Sequence, residues 1–291
     1  MHVKIYPDAA ALLTAAQGPL EREEQKNTIV LSILRRLASG SRIGDAPPYF
    51  ATVRDGSHMV IVATMTPPRP LLLSTTSDEW DGGVEKLAGS ILHSGVHLKG
   101  VIACCPVAAA FASGWERLAN VTSRVHMRER DYVLREVLFA GSASGYLKPA
   151  TAEEFDLVSK WALSFHSEVR MPQETADVEV GIRNKIDKGD VCLWVDKGEP
   201  VAMAGVNGLT RRGARIGLVY TPPELRGRGY ATACVAHLSQ RLLNSGREFC
   251  ALSTDLANPV SNHIYQKVGY RPVIDFDQYE FKVAPAAKVP L

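Results

Sequence analysis

At 291 residues the chain exceeds a usual single domain, and 46% of it is hydrophobic, so two domains, each with its own core, are expected. A formal net charge of only +2 argues against a nucleic acid or a membrane surface held by bulk charge. No apolar stretch is long enough to cross a bilayer, and MHVKIYPDAA does not read as a secretory leader, so a cytoplasmic protein without a membrane partner is expected.

In the N-terminal half, apolar spacing predicts helical stretches at Gln17 to Ala38, Trp80 to His93 and Ala108 to Leu118. Strands are predicted at Tyr49 to Val53, Met59 to Met65, Leu71 to Ser74 and Gly100 to Cys104, with two more around Val125 to Met127 and Val133 to Ala140. Gly141-Ser142-Ala143-Ser144-Gly145 is small and polar and reads as a flexible linker. The expected domains are therefore 1–140 and 146–284.

The C-terminal half opens with a short strand at Tyr146 to Lys148. Thr151 and Glu154 form a capping box, and Phe155, Val158, Trp161, Ala162 and Phe165 give the following helix one apolar face. A second helix runs from Thr175 to Lys188 and stops at Gly189. Strands follow at Val191 to Asp196, Pro200 to Asn207 and Ala214 to Thr221, then a glycine-rich turn and a helix to Asn244. A strand at Phe249 to Thr254, a short helix at Pro259 to Lys267 and two final strands within Tyr270 to Lys282 complete it. The N-terminal half partly echoes this order and reads as a divergent duplicate.

The five cysteines are Cys104, Cys105, Cys192, Cys234 and Cys250. Their odd number and apolar surroundings fit free thiols in a reducing compartment. The adjacent Cys104 and Cys105 lack the histidines that would complete a metal site, so no metal is expected.

The segment that carries chemistry is GLVYTPPELRGRGYATACVAHLSQRLL. Pro222 and Pro223 end the strand, since neither has an N–H to donate. Arg226-Gly227-Arg228-Gly229-Tyr230-Ala231 then leads into a helix. Glycines let successive backbone N–H groups face one concavity, and the helix start adds its own N–H groups and dipole. Such a turn suits a phosphate or pyrophosphate, with Thr232 adding a hydroxyl and Arg226 and Arg228 positive charge. Taken alone it is also compatible with a tight turn that simply needs glycine. The P-loop pattern GxxxxGK[ST] is absent, and the glycine spacing is not that of a dinucleotide fold.

Arg226-x-x-Gly229-x-Ala231 resembles the acyl-coenzyme A signature of the GNAT superfamily, R/Q-x-x-G-x-G/A. The downstream Asn258-x(6)-Tyr265-x-x-x-Gly269-Tyr270 resembles that family's second block. The resemblance covers roughly Tyr146 to Lys282 and comes nearest to the glycine N-acyltransferase-like branch. It implies an α/β GNAT fold, here in tandem with a degenerate N-terminal GNAT-like half. It implies an N-acyltransferase that moves an acetyl or short acyl group from acetyl-CoA or another acyl-CoA to a primary amine of a small-molecule or peptide acceptor, by direct attack. It also implies that backbone groups of Leu218, Val219 and Tyr220 pair with the pantetheine arm and thioester, with Arg226 to Thr232 at the pyrophosphate. Asn258 would face the pantetheine; it is also an ideal helix N-cap before Pro259. Tyr265 would protonate the leaving thiolate, or else be a packed aromatic.

A general base is not evident. The strand Arg215 to Tyr220 has no glutamate, which leaves Glu168, Asp255 or a water chain. The alternative reading is a non-catalytic acyl-CoA-binding regulatory module. In the N-terminal half, TTSDEWDGG stands where the signature would fall, and Asp78, Glu79 and Asp81 would repel a pyrophosphate. No cofactor is expected there.

Overall fold

The computed structural model describes residues 1–40, 46–169 and 174–284. Its chain divides into two compact units. The elements run β1 (His2–Ile5), α1 (Ala9–Arg22), α2 (Thr28–Ala38), β2 (Tyr49–Asp55), β3 (His58–Met65), β4 (Leu71–Thr75), α3 (Asp81–His93), β5 (Gly100–Cys104), α4 (Cys105–Ala119) and β6 (Val121–Leu134). The same succession then repeats as β7 (Tyr146–Pro149), α5 (Phe155–Glu168), α6 (Thr175–Asp187), β8 (Val191–Asp196), β9 (Glu199–Leu209), β10 (Gly213–Tyr220), α7 (Tyr230–Asn244), β11 (Phe249–Asp255), α8 (Pro259–Val268) and β12 (Arg271–Val283). The order β-α-α-β-β-β-α-β-α-β thus occurs twice, and the expected duplication is a feature of the fold.

The first unit holds residues up to Asp131, Asp255–Ala257 and the last strand from Val273. Its strand order is β1-β2-β3-β4-β5-β12-β6. One face buries Ile61, Leu71, Leu87, Ile91, Phe111 and Trp115 beneath α3 and α4. The other buries Leu12, Leu20, Leu31, Leu34 and Val62 beneath α1 and α2. β12 runs antiparallel to β5, from Phe276↔Cys104 to Glu280↔Gly100. Gly100 is required by that approach, because a Cβ there would lie 2.1 Å from the Tyr279 carbonyl oxygen. The second repeat's last strand therefore completes the first unit.

The second unit holds Tyr132–Thr254 and Asn258–Pro272, with strand order β11-β10-β9-β8-β7. α5 and α6 cover one face through Val158, Trp161, Ala162, Val178 and Ile182. α7 and α8 cover the other through Tyr230, Ala233, Cys234, Leu238, Tyr265 and Val268. Tyr132 and Leu134 belong to that second core, so the unit begins before the expected boundary. The capping box is present, with Glu154 accepting from the Thr151 N–H at 2.8 Å. A hydrogen bond from Lys148 holds the Glu154 carboxyl down at about 2.

Several sequence expectations need correction. The stretch Gln17 to Ala38 is two helices, α1 starting earlier at Ala9, with Asn27 anchoring their junction through bonds to the Leu20 and Glu23 carbonyls. β1 had no period-2 signal long enough to find it. The strand expected around 125–127 is the longer β6, ending at Leu134, so 135–140 is not strand as expected, and the two final strands are the single β12. The Gly141–Gly145 segment is tethered rather than flexible. Trp194 Nε1 donates to the Ser144 carbonyl at 2.9 Å, and Ser144 Oγ donates to Asp196 at 2.7 Å. A Cβ at Gly145 would lie 2.3 Å from the Val195 oxygen.

Candidate acyl-coenzyme A site

The site is built on β10. It pairs in parallel with β11 at Gly213↔Phe249, Ala214↔Cys250 and Arg215↔Ala251, and among the described residues the ladder ends there. Both strands continue past that last pair, β10 to Tyr220 and β11 to Asp255, so a gap opens between them. A sheet that opens this way leaves N–H and C=O groups for a ligand to satisfy.

On its other side β10 is paired with β9, but with two register shifts, between Arg215 and Ile216 and between Gly217 and Tyr220. The second is a bulge around Leu218, whose φ of +51° is rare for a non-glycine residue. Leu218 is 4% exposed and packs with Val158, Trp161 and Tyr220, which holds the backbone in that conformation. Backbone strain of this kind gathers at ligand clamps. Leu218, Val219 and Tyr220 are the residues at and just beyond the bulge.

β10 ends at Thr221-Pro222, and a 3-10 turn over Pro223–Leu225 leads into the glycine segment. Gly227 and Gly229 have φ of +78° and +82°, so Arg228 is flanked by left-handed residues. Alternation of this sort turns successive N–H groups inward. Gly229 is the N-cap of the 15-residue α7, and no side chain caps that end. The first intrahelical bond is Ala233 N–H to the Gly229 carbonyl, 3.1 Å. Orphan N–H groups and the positive dipole end therefore coincide with the glycine turn. The Thr221 hydroxyl, buried at the strand end, has no hydrogen-bond partner. Buried polar atoms are normally paired, so this one fits a site that takes a polar ligand.

The side chains of the turn divide by task. Tyr230 is buried, and its hydroxyl donates to Asp196 at 2.7 Å. That bond raises the phenol's pKa and, with Ser144, lowers that of the carboxyl. Tyr230 thereby fastens the first turn of α7 to the end of β8. Thr232 is buried as well. Arg226 is engaged within the protein: Nη2 donates to both carboxylate oxygens of Glu168 (2.7 and 2.9 Å), and Nε to the Thr221 carbonyl (2.9 Å). Its guanidinium also lies 5.8 Å from the Tyr220 ring centre. Arg228 Nη2 donates to the Glu224 carbonyl at 3.4 Å, and its guanidinium also lies by the Tyr230 hydroxyl.

α8 supplies the second block. Asn258 is its N-cap, accepting from Ser261 N–H at 3.0 Å. The Asn262 amide donates to the Asn258 carbonyl, and its oxygen accepts from the Tyr132 hydroxyl at 2.9 Å. Tyr132 in turn accepts from Gln266, so one buried tyrosine braces two successive turns of α8. The helix carries Tyr265 into the core, against Tyr270 at 6.0 Å between ring centres. Burial pushes the Tyr265 phenol up to about 12, so it holds its proton at neutral pH.

The candidate bases are both engaged. Glu168, the last residue of α5, is the partner of Arg226; both are about half exposed, so the pair contributes at most about 1 kcal/mol. Asp255 ends β11 and accepts from the Ala257 N–H at 2.8 Å. Cys234 and Cys250 are buried, and burial raises both thiols, Cys250 to about 12, so neither is a ready nucleophile.

The corresponding place in the first unit is built differently. β4 and β5 are parallel, but β4 pairs with β3 without a register shift from Ile61↔Thr75 to Thr64↔Leu72. Among the described residues, none from 57 to 94 has a positive φ, and Asp78, Glu79 and Asp81 are exposed at the start of α3.

Residues 155–270 match the family model described as the acetyltransferase (GNAT) family. The match covers less than half of the chain and supports a GNAT-type acetyltransferase in this part of it. The match and the acetyltransferase names of structures with this fold support an acyltransferase, and enzymes of the matched family take acetyl-CoA as co-substrate. The solved structures agree on fold over the whole length. A GNAT-family acetyltransferase from Colwellia psychrerythraea matches with a TM-score of 0.60 at 14% identity, covering 97% of this chain and 100% of its own. A GCN5-related N-acetyltransferase from Sphaerobacter thermophilus matches at 0.65 and 13%, covering 99% and 97%. A tandem GNAT protein from the clavulanic acid biosynthesis pathway matches at 0.57 and 14%, covering 98% and 100%. No curated protein matches the chain. The fold is thus a tandem GNAT fold, with two GNAT-like repeats.

Sequence reasoning missed the bulge at Leu218 and the brace at Tyr132. Gly217 inside a β-branched strand was the available signal for the bulge, because glycine within a strand often marks one. Nothing local pointed to Tyr132, whose partners are 130 and 134 residues away.

Proposed function

We propose that the second unit transfers an acetyl or other short acyl group from acyl-CoA to a primary amine of a small-molecule or peptide acceptor, by direct attack of the amine. The observation that carries this is the uncapped start of α7 beside left-handed Gly227 and Gly229, at the end of a strand that has parted from its neighbour. Backbone N–H groups around Arg228 to Thr232 hold the pyrophosphate, and the bulged Leu218 to Tyr220 segment receives the pantetheine arm. The thioester supplies the activated acyl group. A preorganised N–H on β10 stabilises the oxyanion that forms as the amine adds. Tyr265, protonated at neutral pH, donates its proton to the departing thiolate, and the proton that the attacking nitrogen loses, carried by water, restores the phenol. Asn258 supports the pantetheine through the loop it caps. Much of the rate comes from holding two reactants in line. The first unit binds no cofactor. The setting is cytoplasmic, without a nucleic-acid or membrane partner, and the motif resemblance to the glycine N-acyltransferase-like branch supports an amine acceptor.

A second reading, a non-catalytic acyl-CoA-binding regulatory module, draws on the engagement of Glu168 by Arg226 and of Asp255 by the Ala257 N–H. Release of free thiol from acetyl-CoA across a panel of amines separates the two. Acceptor-dependent release supports transfer; tight acetyl-CoA binding with no release for any amine supports the module.

A further inference from the structure

We propose that Asn207 is a positioning residue that sets the β10 bulge, acting as a wedge over Gly217 and held in place by Lys185. The inference rests on the proposed acyl transfer for its functional consequence, but its structural core stands on the strand register. At Ala214↔Leu209 and Arg215↔Gly208, β9 and β10 are in one register; at Ile216↔Val206 and Gly217↔Gly205 they are in another. The residue passed over on β9 is Asn207. The register reverts at the next pair, Tyr220↔Met203, and the one extra residue now lies on β10, where Leu218 and Val219 stand against Ala204 alone. The two irregularities are therefore equal and opposite. The bulge at Leu218 restores what Asn207 displaces.

The side chains show how the offset is held. A Cβ built on Gly217 would lie 1.9 Å from Asn207 Nδ2, so the amide occupies the space above that glycine. Across the pair, Leu218 Cδ1 is 3.5 Å from where a Cβ on Gly205 would be. Two facing glycines thus admit one side chain from each strand. Lys185 on α6 fixes the wedge: Nζ donates to Asn207 Oδ1 at 3.3 Å and to the Val206 carbonyl. Asn207 itself is exposed, and Leu218 carries the left-handed φ of +51°. An exposed amide has no core to fill, so its effect is on the backbone it overlies. That backbone leads directly into Val219 and Tyr220, beyond the last β10–β11 pair at Arg215↔Ala251.

The test pairs structure with kinetics in three full-length variants. Asn207→Ala removes the wedge, Gly217→Ala expels it without touching Asn207, and Asn207→Asp keeps its volume and the Lys185 contact. In crystals of Asn207→Ala, Leu218 is expected to leave the left-handed region and β9–β10 pairing to become continuous. In kinetics with acetyl-CoA and an amine identified by thiol release, Asn207→Ala and Gly217→Ala are expected to lose roughly 10- to 100-fold in kcat, the scale of a displaced catalytic group. The dissociation constant for coenzyme A should change only a few-fold, since the α7 start is untouched. Asn207→Asp should recover most of the loss. A purely stabilising role would lower the melting temperature without splitting kcat from affinity. The inference is overturned if Leu218 keeps its positive φ in Asn207→Ala, or if that variant loses the bulge yet keeps wild-type kcat. Wild-type protein that turns over no acceptor would instead sink the acyl-transfer reading, and the Asn207→Ala crystal structure would alone decide whether Asn207 sets the bulge.

Discussion

Gly229 offers the sharpest separation of charge from bulk at the site. Its φ is +82°, and an added Cβ would meet nothing nearer than Ala143 Cβ at 3.8 Å. Any non-glycine residue there therefore fits, but adopts a left-handed conformation at about 1–2 kcal/mol. That strain is the same for Gly229→Gln and Gly229→Glu, and each should lower the melting temperature by a few degrees. The charge is not shared. A carboxylate ~5 Å from a pyrophosphate, at an effective dielectric of about 20, adds about 3 kcal/mol of repulsion per unit of phosphate charge. Gly229→Glu should then bind coenzyme A at least roughly 100-fold more weakly than Gly229→Gln by titration calorimetry. The difference should shrink in 1 M salt, where the Debye length falls to about 3 Å. Equal affinities for the two variants at low salt would refute the placement of the pyrophosphate at the start of α7.

Three further outcomes follow from the packing. Tyr265→Phe should lower kcat well beyond its effect on coenzyme A affinity, measured by steady-state kinetics and calorimetry. The same phenol ionises near 10 when unfolded and at about 12 when folded, so the unfolded state sheds its proton first. Stability from this group is intact below pH 10 and falls as pH rises from 10 to 12, by about 2–3 kcal/mol; alkaline unfolding of Tyr265→Phe should lack that share. A chain starting at Tyr146 should be poorly soluble and weakly active by thiol release, because it removes Tyr132 and Leu134 from the second core and deprives β12 of its partner β5. Finally, calorimetry should give one coenzyme A per chain; two equivalent sites would contradict the reading of the 76–80 turn.

How much of this was legible in the sequence differs by element. The glycine turn and α7 were, because Pro222-Pro223, Gly227 and Gly229 fix backbone conformation locally. The capping box at Thr151 and the N-cap at Asn258 were legible for the same reason. The bulge was not, since a register shift is a relation between strands that no single run of residues records. Nor was the partner of β12: its alternation marks a strand, while the choice of β5 depends on Gly100, about 180 residues before its partner Glu280. Gly141–Gly145 misled because small residues allow both flexibility and close approach, and Trp194 and Asp196 select the latter. Arg226 was placed at the pyrophosphate by its position in the signature. Its guanidinium is held by Glu168 and the Thr221 carbonyl, a tertiary pairing across 58 residues for the former.

A crystal structure of the full chain with acetyl-CoA tests the central claim most directly. The account predicts one molecule per chain, its pyrophosphate on the backbone N–H groups between Arg228 and Thr232 and its pantetheine arm between β10 and β11 beyond Arg215 and Ala251. Density for the cofactor at the 76–80 turn of the first unit, or anywhere away from the start of α7, would contradict it.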